Sequence, residues 1–233
     1  MVNNPLKEYF LNLMKLNNLK NYRELSRFLN VTYGIIGNTM QNNTIFASRK
    51  LTEQLSKTLQ RKPEDVLCDI YSPYFFQHCP DYLKIVTLSL HYHFKYKLYW
   101  ENNIIIESHL VRLPYIEKQI SIHAIMRREG LEAKYTLVLD WNNVRDVLCE
   151  RTQNFLIKND CILIAMSNLY YMICTDEFDD IKRLIVVFAS DEEEDYLLFK
   201  KSCIDSKYRV LPLLYDENSE YSIREVNMLN GIR

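Results

Sequence analysis

The spacing of apolar residues along this 233-residue chain changes from helical to strand-like near residue 80, and that change limits the folds open to it. Before residue 72, apolar side chains recur every three or four positions, the period of a helix with one buried face. Leu6, Phe10, Leu11 and Met14 follow Pro5, which suits a first helical turn. Leu25, Phe28 and Leu29 mark a second helix and Thr32 to about Met40 a third. Leu51, Leu55 and Leu59 mark a fourth, and Pro63 opens a fifth that contains Val66 and Leu67. Polar turns such as NNLKN and QNNT separate them. The segment SPYFFQHCPDY, residues 72–82, has two prolines and no helical stripe and reads as a linker, its Tyr74, Phe75 and Phe76 packed against something.

Beyond the linker the period becomes two. Val86, Leu88, Leu90, Tyr92, Phe94, Tyr96, Leu98 and Trp100 alternate with Thr87, Ser89, His91, His93, Lys95, Lys97 and Tyr99, a pattern that predicts a strand. At about 3.3 Å per residue this run exceeds the usual strand length, so a bend or break is expected within it. Glu101-Asn102-Asn103 then predicts a hairpin turn, and ISIHAIMRREG with LEAKYTLVLD a second hairpin around Gly130. Residues 142–175 read mainly as helix, RLIVVFAS (183–190) as a buried strand, EEEDYLLFKKSCI as a helix and RVLPLLY (209–215) as a last strand. The proline inside that last run, Pro212, points to an edge or irregular strand. The expected architecture is an all-α N-terminal domain over 1–71, a linker over 72–80, and an α/β (mixed-sheet, α+β) domain over 81–233.

Composition narrows the classes. No stretch reaches the roughly 20 uncharged apolar residues of a membrane span, and the start MVNNPLKEYF lacks a signal-peptide layout, so a cytoplasmic protein is expected. Six scattered cysteines (Cys68, Cys79, Cys149, Cys161, Cys174 and Cys203) include no C-x-x-C pair, which favours buried thiols over disulfides or zinc. His91 and His93 with distant cysteines make no metal cluster, and neither a metal nor a cofactor is expected. Four glycines form no phosphate loop, and no G-x-S-x-G elbow is present. The acidic runs DEFDD (176–180) and DEEED (191–195) suit helix N-termini. Charge is divided: residues 1–62 hold ten Lys or Arg against three acids, a balance of +7, and the remainder carries −8. The asymmetry suggests two domains, with the basic segment expected to face a polyanion.

Within it lies NYRELSRFLNVTYGIIGNTMQNN, residues 21–43, which holds two of the four glycines. Asn21 suits an N-cap, Leu25 and Leu29 would face a core, and Ser26 is small where two helices approach. Asn30 tolerates a left-handed turn, Val31 would plug the space between helices, Thr32 would cap the next helix and Ile36 would anchor it. This arrangement, over about residues 5–69, resembles the helix-turn-helix of the lambda-repressor/Cro-like family. The resemblance implies that Tyr33, Gly34, Ile35 and Asn38 face the major groove, with Asn38 reading adenine and Ile35 a thymine methyl. It implies phosphate contacts from Arg23, Arg27, Arg49 and Lys50, and places Tyr22 where the family often has a phosphate-touching glutamine. Thr32 sits at the start of the following helix, the one that carries Tyr33 and Asn38. Met40 and Asn42 stand where the family commonly has Glu and Gly.

A second pattern points elsewhere. Glu132 and Lys134 share one face of a predicted strand with Asp140 further along, which resembles the E-x-K element of PD-(D/E)xK nucleases. Such a site also wants an acid on the preceding strand, where ISIHAIM offers only His123, a residue that reads as structural. The function implied by the sequence is a sequence-specific DNA-binding transcriptional regulator, similar to phage or mobile-element repressors. Its expected partners are double-stranded DNA, a second copy in a homodimer, and a protein or small-molecule effector, with no membrane. The alternatives are a nuclease and a protein-interaction module that does not touch DNA.

Overall fold

Each helix of the N-terminal third carries its own start signal and one apolar stripe. The computed structural model describes residues 4–41, 46–73, 79–94, 96–98, 100–101, 104–105, 109–112, 119–128, 135–149, 158–174, 181–203, 210–224 and 226–230. Asn4 caps α1 (Pro5–Leu16) by accepting from the Lys7 N–H at 3.0 Å. Asn21 caps α2 (Tyr22–Phe28) by accepting from the Arg23 and Glu24 N–H groups at 3.1 and 3.0 Å. Then come α3 (Tyr33–Met40), α4 (Arg49–Leu59), which Ser48 caps, and α5 (Pro63–Tyr71). Leu6, Phe10, Leu25, Leu29, Ile36, Leu51, Leu55 and Val66 are all at most 1% exposed. On α1 the inward place falls to Leu13, and Leu11 is 43% exposed.

The chain divides into two compact units, Met1–His78 and Cys79–Arg233. Tyr74, Phe75 and Phe76, expected to pack within the linker, lie outside the described residues.

The strand expected from Val86 to Trp100 is mostly a helix. α6 runs Asp81–His93, and among the described residues of that run and its end Tyr96–Leu98 and Trp100–Glu101 are extended. The alternation misleads because both parities are buried: Val86, Leu88 and Leu90 on the even count, Thr87 and Ser89 on the odd, all at most 1% exposed. A helix enclosed almost all round shows no polar face, and its small hydroxyl residues imitate the solvent side of a strand. The Ser89 hydroxyl donates to the Tyr221 carbonyl at 2.7 Å, which removes the cost of burying it. The start signals are Pro80 at the cap position and Asp81, whose carboxylate pairs with Lys84 at 2.9 Å.

After α6 come β1 (Tyr96–Leu98), a small antiparallel pair of β2 (Trp100–Glu101) and β3 (Ile104–Ile105), and β4 (His109–Arg112). β5 (Gln119–Arg128) and β6 (Tyr135–Asp140) form the antiparallel pair expected around Gly130, which is itself outside the described residues. α7 (Trp141–Cys149) and α8 (Lys158–Cys174) lead to β7 (Ile181–Phe188), and α9 (Glu193–Ser202) leads to β8 (Val210–Tyr215). β9 (Ile223–Arg224) and α10 (Asn227–Asn230) follow, so the 209–215 run is not the last strand. β1 and β4 share one edge of β5; β6, β7 and β8 run parallel to one another, and β9 returns antiparallel on β8. The result is an α+β chain with a mixed sheet behind a helical N-terminal region.

Pro212 lies opposite Val186 within β8, between β7 and β9, and not on an outer strand. Among the described residues β9 pairs only with Leu214 and Tyr215, so no ladder bond on that flank calls for an N–H from residue 212.

The parallel strands are apolar on both faces, as strands between two helical layers must be. Leu137, Leu139, Leu184, Val186, Phe188, Val210 and Leu214 pack with Val144 of α7, Ile162, Ala165 and Leu169 of α8, and Tyr196 and Phe199 of α9. The opposite parity, Val138, Ile185, Val187 and Leu213, is also fully buried, and α6 packs on β1 and β8.

Candidate nucleic-acid interface and a buried polar cluster

In the first unit, α2 and α3 pack together across a turn that the sequence closes by two means. Asn30 adopts the left-handed conformation, with φ of 51°, and the Ser26 hydroxyl donates to the Val31 carbonyl at 2.6 Å. Ser26 is thus more than a small residue at a close approach: it bonds the turn to its helix. Val31 is only half-buried, so the plug is provided by Leu29 and Ile36, both 0% exposed.

Most residues singled out for DNA contact are exposed. Tyr22 is 39% and Tyr33 54% exposed, and Arg23, Arg27, Thr32, Gly34, Asn38, Arg49 and Lys50 are exposed as well; Ile35 is half-buried. On α3 the inward side is Ile36, Thr39 and Met40. Arg23 and Arg27 stand one turn apart on α2. Thr32 occupies the cap position of α3 with extended backbone, but its hydroxyl makes no capping hydrogen bond, contrary to expectation. The residue is exposed, and its side chain is left to solvent. A methyl group built on Gly34 or Gly37 would meet nothing within 4 Å, so neither glycine is required by the chain's own packing.

The cations are not equivalent. Arg49 pairs with Glu53 at 3.4 Å on an exposed helix turn, and Arg61 is bound to Asp69. Among the described residues Arg23, Arg27 and Lys50 form no ion pair. α5 adds Glu64, Asp65 and Asp69, which lowers the balance of the whole first unit to +4. Burial pushes the Tyr9 hydroxyl up to about 12, with the Asp69 charge adding to the effect.

The second unit gathers polar groups that the sequence does not connect. Asp140, at the carboxyl end of β6, is 6% exposed and accepts from the Tyr82 hydroxyl of α6 at 2.5 Å. Burial, then the hydrogen bond to Asp140 and its charge, hold the Tyr82 hydroxyl far above its ordinary value. Past the end of β7, Glu192 has a side chain 8% exposed and accepts from the Ala189 N–H at 2.8 Å. Burial raises its carboxyl to about 7, against the Ala189 hydrogen bond and the Arg145 charge, both of which favour ionisation. Arg145 lies 3.6 Å from Glu192 and 3.7 Å from Asp195, and the Trp141 indole N–H donates to Asp195 at 2.9 Å. The 191–195 run therefore does more than solvate a helix end: two of its acids turn into the protein.

Beside this group, His123 is the extra residue of a bulge: Ile122 opposes Leu139 and Ala124 opposes Val138. Its Nδ1 lies 3.2 Å from the Cys79 Sγ, and its Nε2 is buried without a hydrogen-bond partner among the described residues. Burial holds the imidazole below its ordinary value, and the Asp140 charge opposes that shift. Of the nuclease-like set, Glu132 and Lys134 lie outside the described residues, and Asp140 is the buried acceptor of Tyr82. Among the described residues no three His, Cys, Asp or Glu side chains gather as a metal site, and no helix is long and apolar enough to cross a membrane. Compared with family models, curated proteins and solved structures, the chain matches none.

Proposed function

We propose that the N-terminal unit is a helix-turn-helix that binds double-stranded DNA, and that the protein is a sequence-specific transcriptional regulator of repressor type. The observation that carries this reading is the outward side of α3: Tyr33, Gly34 and Asn38 are exposed while Ile36, Thr39 and Met40 hold the helix from within. An asparagine on such a face matches the adenine edge, and the neighbouring unpaired Arg23, Arg27 and Lys50 supply phosphate neutralisation. The second unit would join two copies, whose reading helices would then meet half-sites about 34 Å apart.

The test is binding of the full chain to duplex DNA, a random pool and a sequence selected from it, at rising salt. Affinity falls steeply with salt, and Arg27→Ala weakens both duplexes alike and lowers the slope by about one. Asn38→Ala costs about 1–3 kcal/mol on the selected duplex and little on the random pool. Absence of binding at low salt overturns the reading in favour of a protein-interaction module.

A further inference from the structure

We propose that Cys79 is a reactive thiol with His123 as its base, and that it forms mixed disulfides with low-molecular-weight disulfides. The inference stands on the second unit alone and is independent of DNA binding.

Four features of the pair favour chemistry over a merely satisfied hydrogen bond. The Sγ–Nδ1 distance of 3.2 Å is within reach for proton transfer. The bulge gives β5 one residue more than β6 at this point, and His123 is that residue. Cys79 is half-buried, and it stands two residues before the start of α6. The charges around the imidazole come from β6 and from its neighbours: Asp140, held by Tyr82 of α6, with Glu192 and Arg145 beyond it. Burial of part of the ring disfavours the imidazolium, and the Asp140 charge opposes that, favouring the protonated ring when Nδ1 takes a proton.

The step balances without any other reagent. Nδ1 takes the Sγ proton as Sγ attacks one sulfur of the small disulfide. That S–S bond breaks, the Cys79 Sγ–S bond forms, and the departing thiolate recovers the proton from Nδ1. One disulfide is consumed and one is made, with no net oxidation.

The experiment treats the full chain with oxidised glutathione at pH 7 and follows each cysteine-containing peptide by mass. Cys79 is expected to react about a hundredfold faster than Cys68 and Cys161, the lower range of what a positioned base contributes. His123→Asn brings it down to their rate, and Cys79→Ser abolishes the fast event. Cys203, whose thiol burial pushes up to about 12, stays unmodified while the fold is intact and serves as an internal reporter. A wild-type Cys79 no faster than Cys68 and Cys161 overturns the proposal, as does an unchanged fast rate in His123→Asn. If Cys203 becomes labelled in that variant, the variant has unfolded and the wild-type rate ratio alone decides.

Discussion

Glu192 is held where its charge is least welcome. Its carboxyl is raised from about 4.5 in the unfolded chain to about 7 in the fold, chiefly by burial. Between those values the folded state binds more proton than the unfolded one, so stability from this group is full below about pH 4.5 and is lost as pH rises through about 7. Urea midpoints measured at pH 5 and pH 8 should therefore fall more steeply for wild type than for Glu192→Gln, which cannot ionise. The same scale shows what a linear reading of the sequence misses. Cys79 and His123 are 44 residues apart, and Tyr82 and Asp140 are 58 apart, with no motif to join either pair. A histidine on a strand and a scattered cysteine carry no local mark of their meeting; only the pairing of β5 with β6 and the docking of α6 bring them together.

At the scale of elements, the helices of the first unit were largely legible because each has a cap and a one-sided stripe. Asn21, Leu25, Leu29 and Ile36 take their expected places. α6 was not legible, because the helical period disappears when every side of a helix is buried. Glycine usage on α3 also remains unexplained by packing. Asn18, Asn30, Gln60 and Ser222 adopt positive φ where glycine would be easier, while Gly34 and Gly37 sit inside a helix with open space around them. Alanine at residue 34 should stabilise the fold by up to about 1 kcal/mol, read as a rise in the denaturation midpoint. If the bare face of α3 meets DNA, the same Gly34→Ala should weaken duplex binding about tenfold, or roughly 1.4 kcal/mol. A gain in stability with no loss of binding would detach the glycine from that surface.

For the whole molecule, two units with separate cores predict two unfolding transitions. Leu25→Ala, at a fully buried site of the first unit, should lower one transition by about 3 kcal/mol, and Phe188→Ala, fully buried in the second, should lower the other by a similar amount. Calorimetry or denaturant titration of the full chain checks this, and a single transition moved by both changes would refute it. In the second unit the parallel strands β6, β7 and β8 are buried on both faces, so the parity of each of them matters. The additional residue on β5 stands outside that alternation. A chain shorter by His123 would set Ile122 against Leu139 and Ala124 against Val138 with nothing between them, a regular ladder that leaves Ala124 and Met126, both buried, on their present side of the sheet. Replacement and deletion are thus both compatible with the pairing, and deletion would take away the local bend and added twist that a bulge puts into β5.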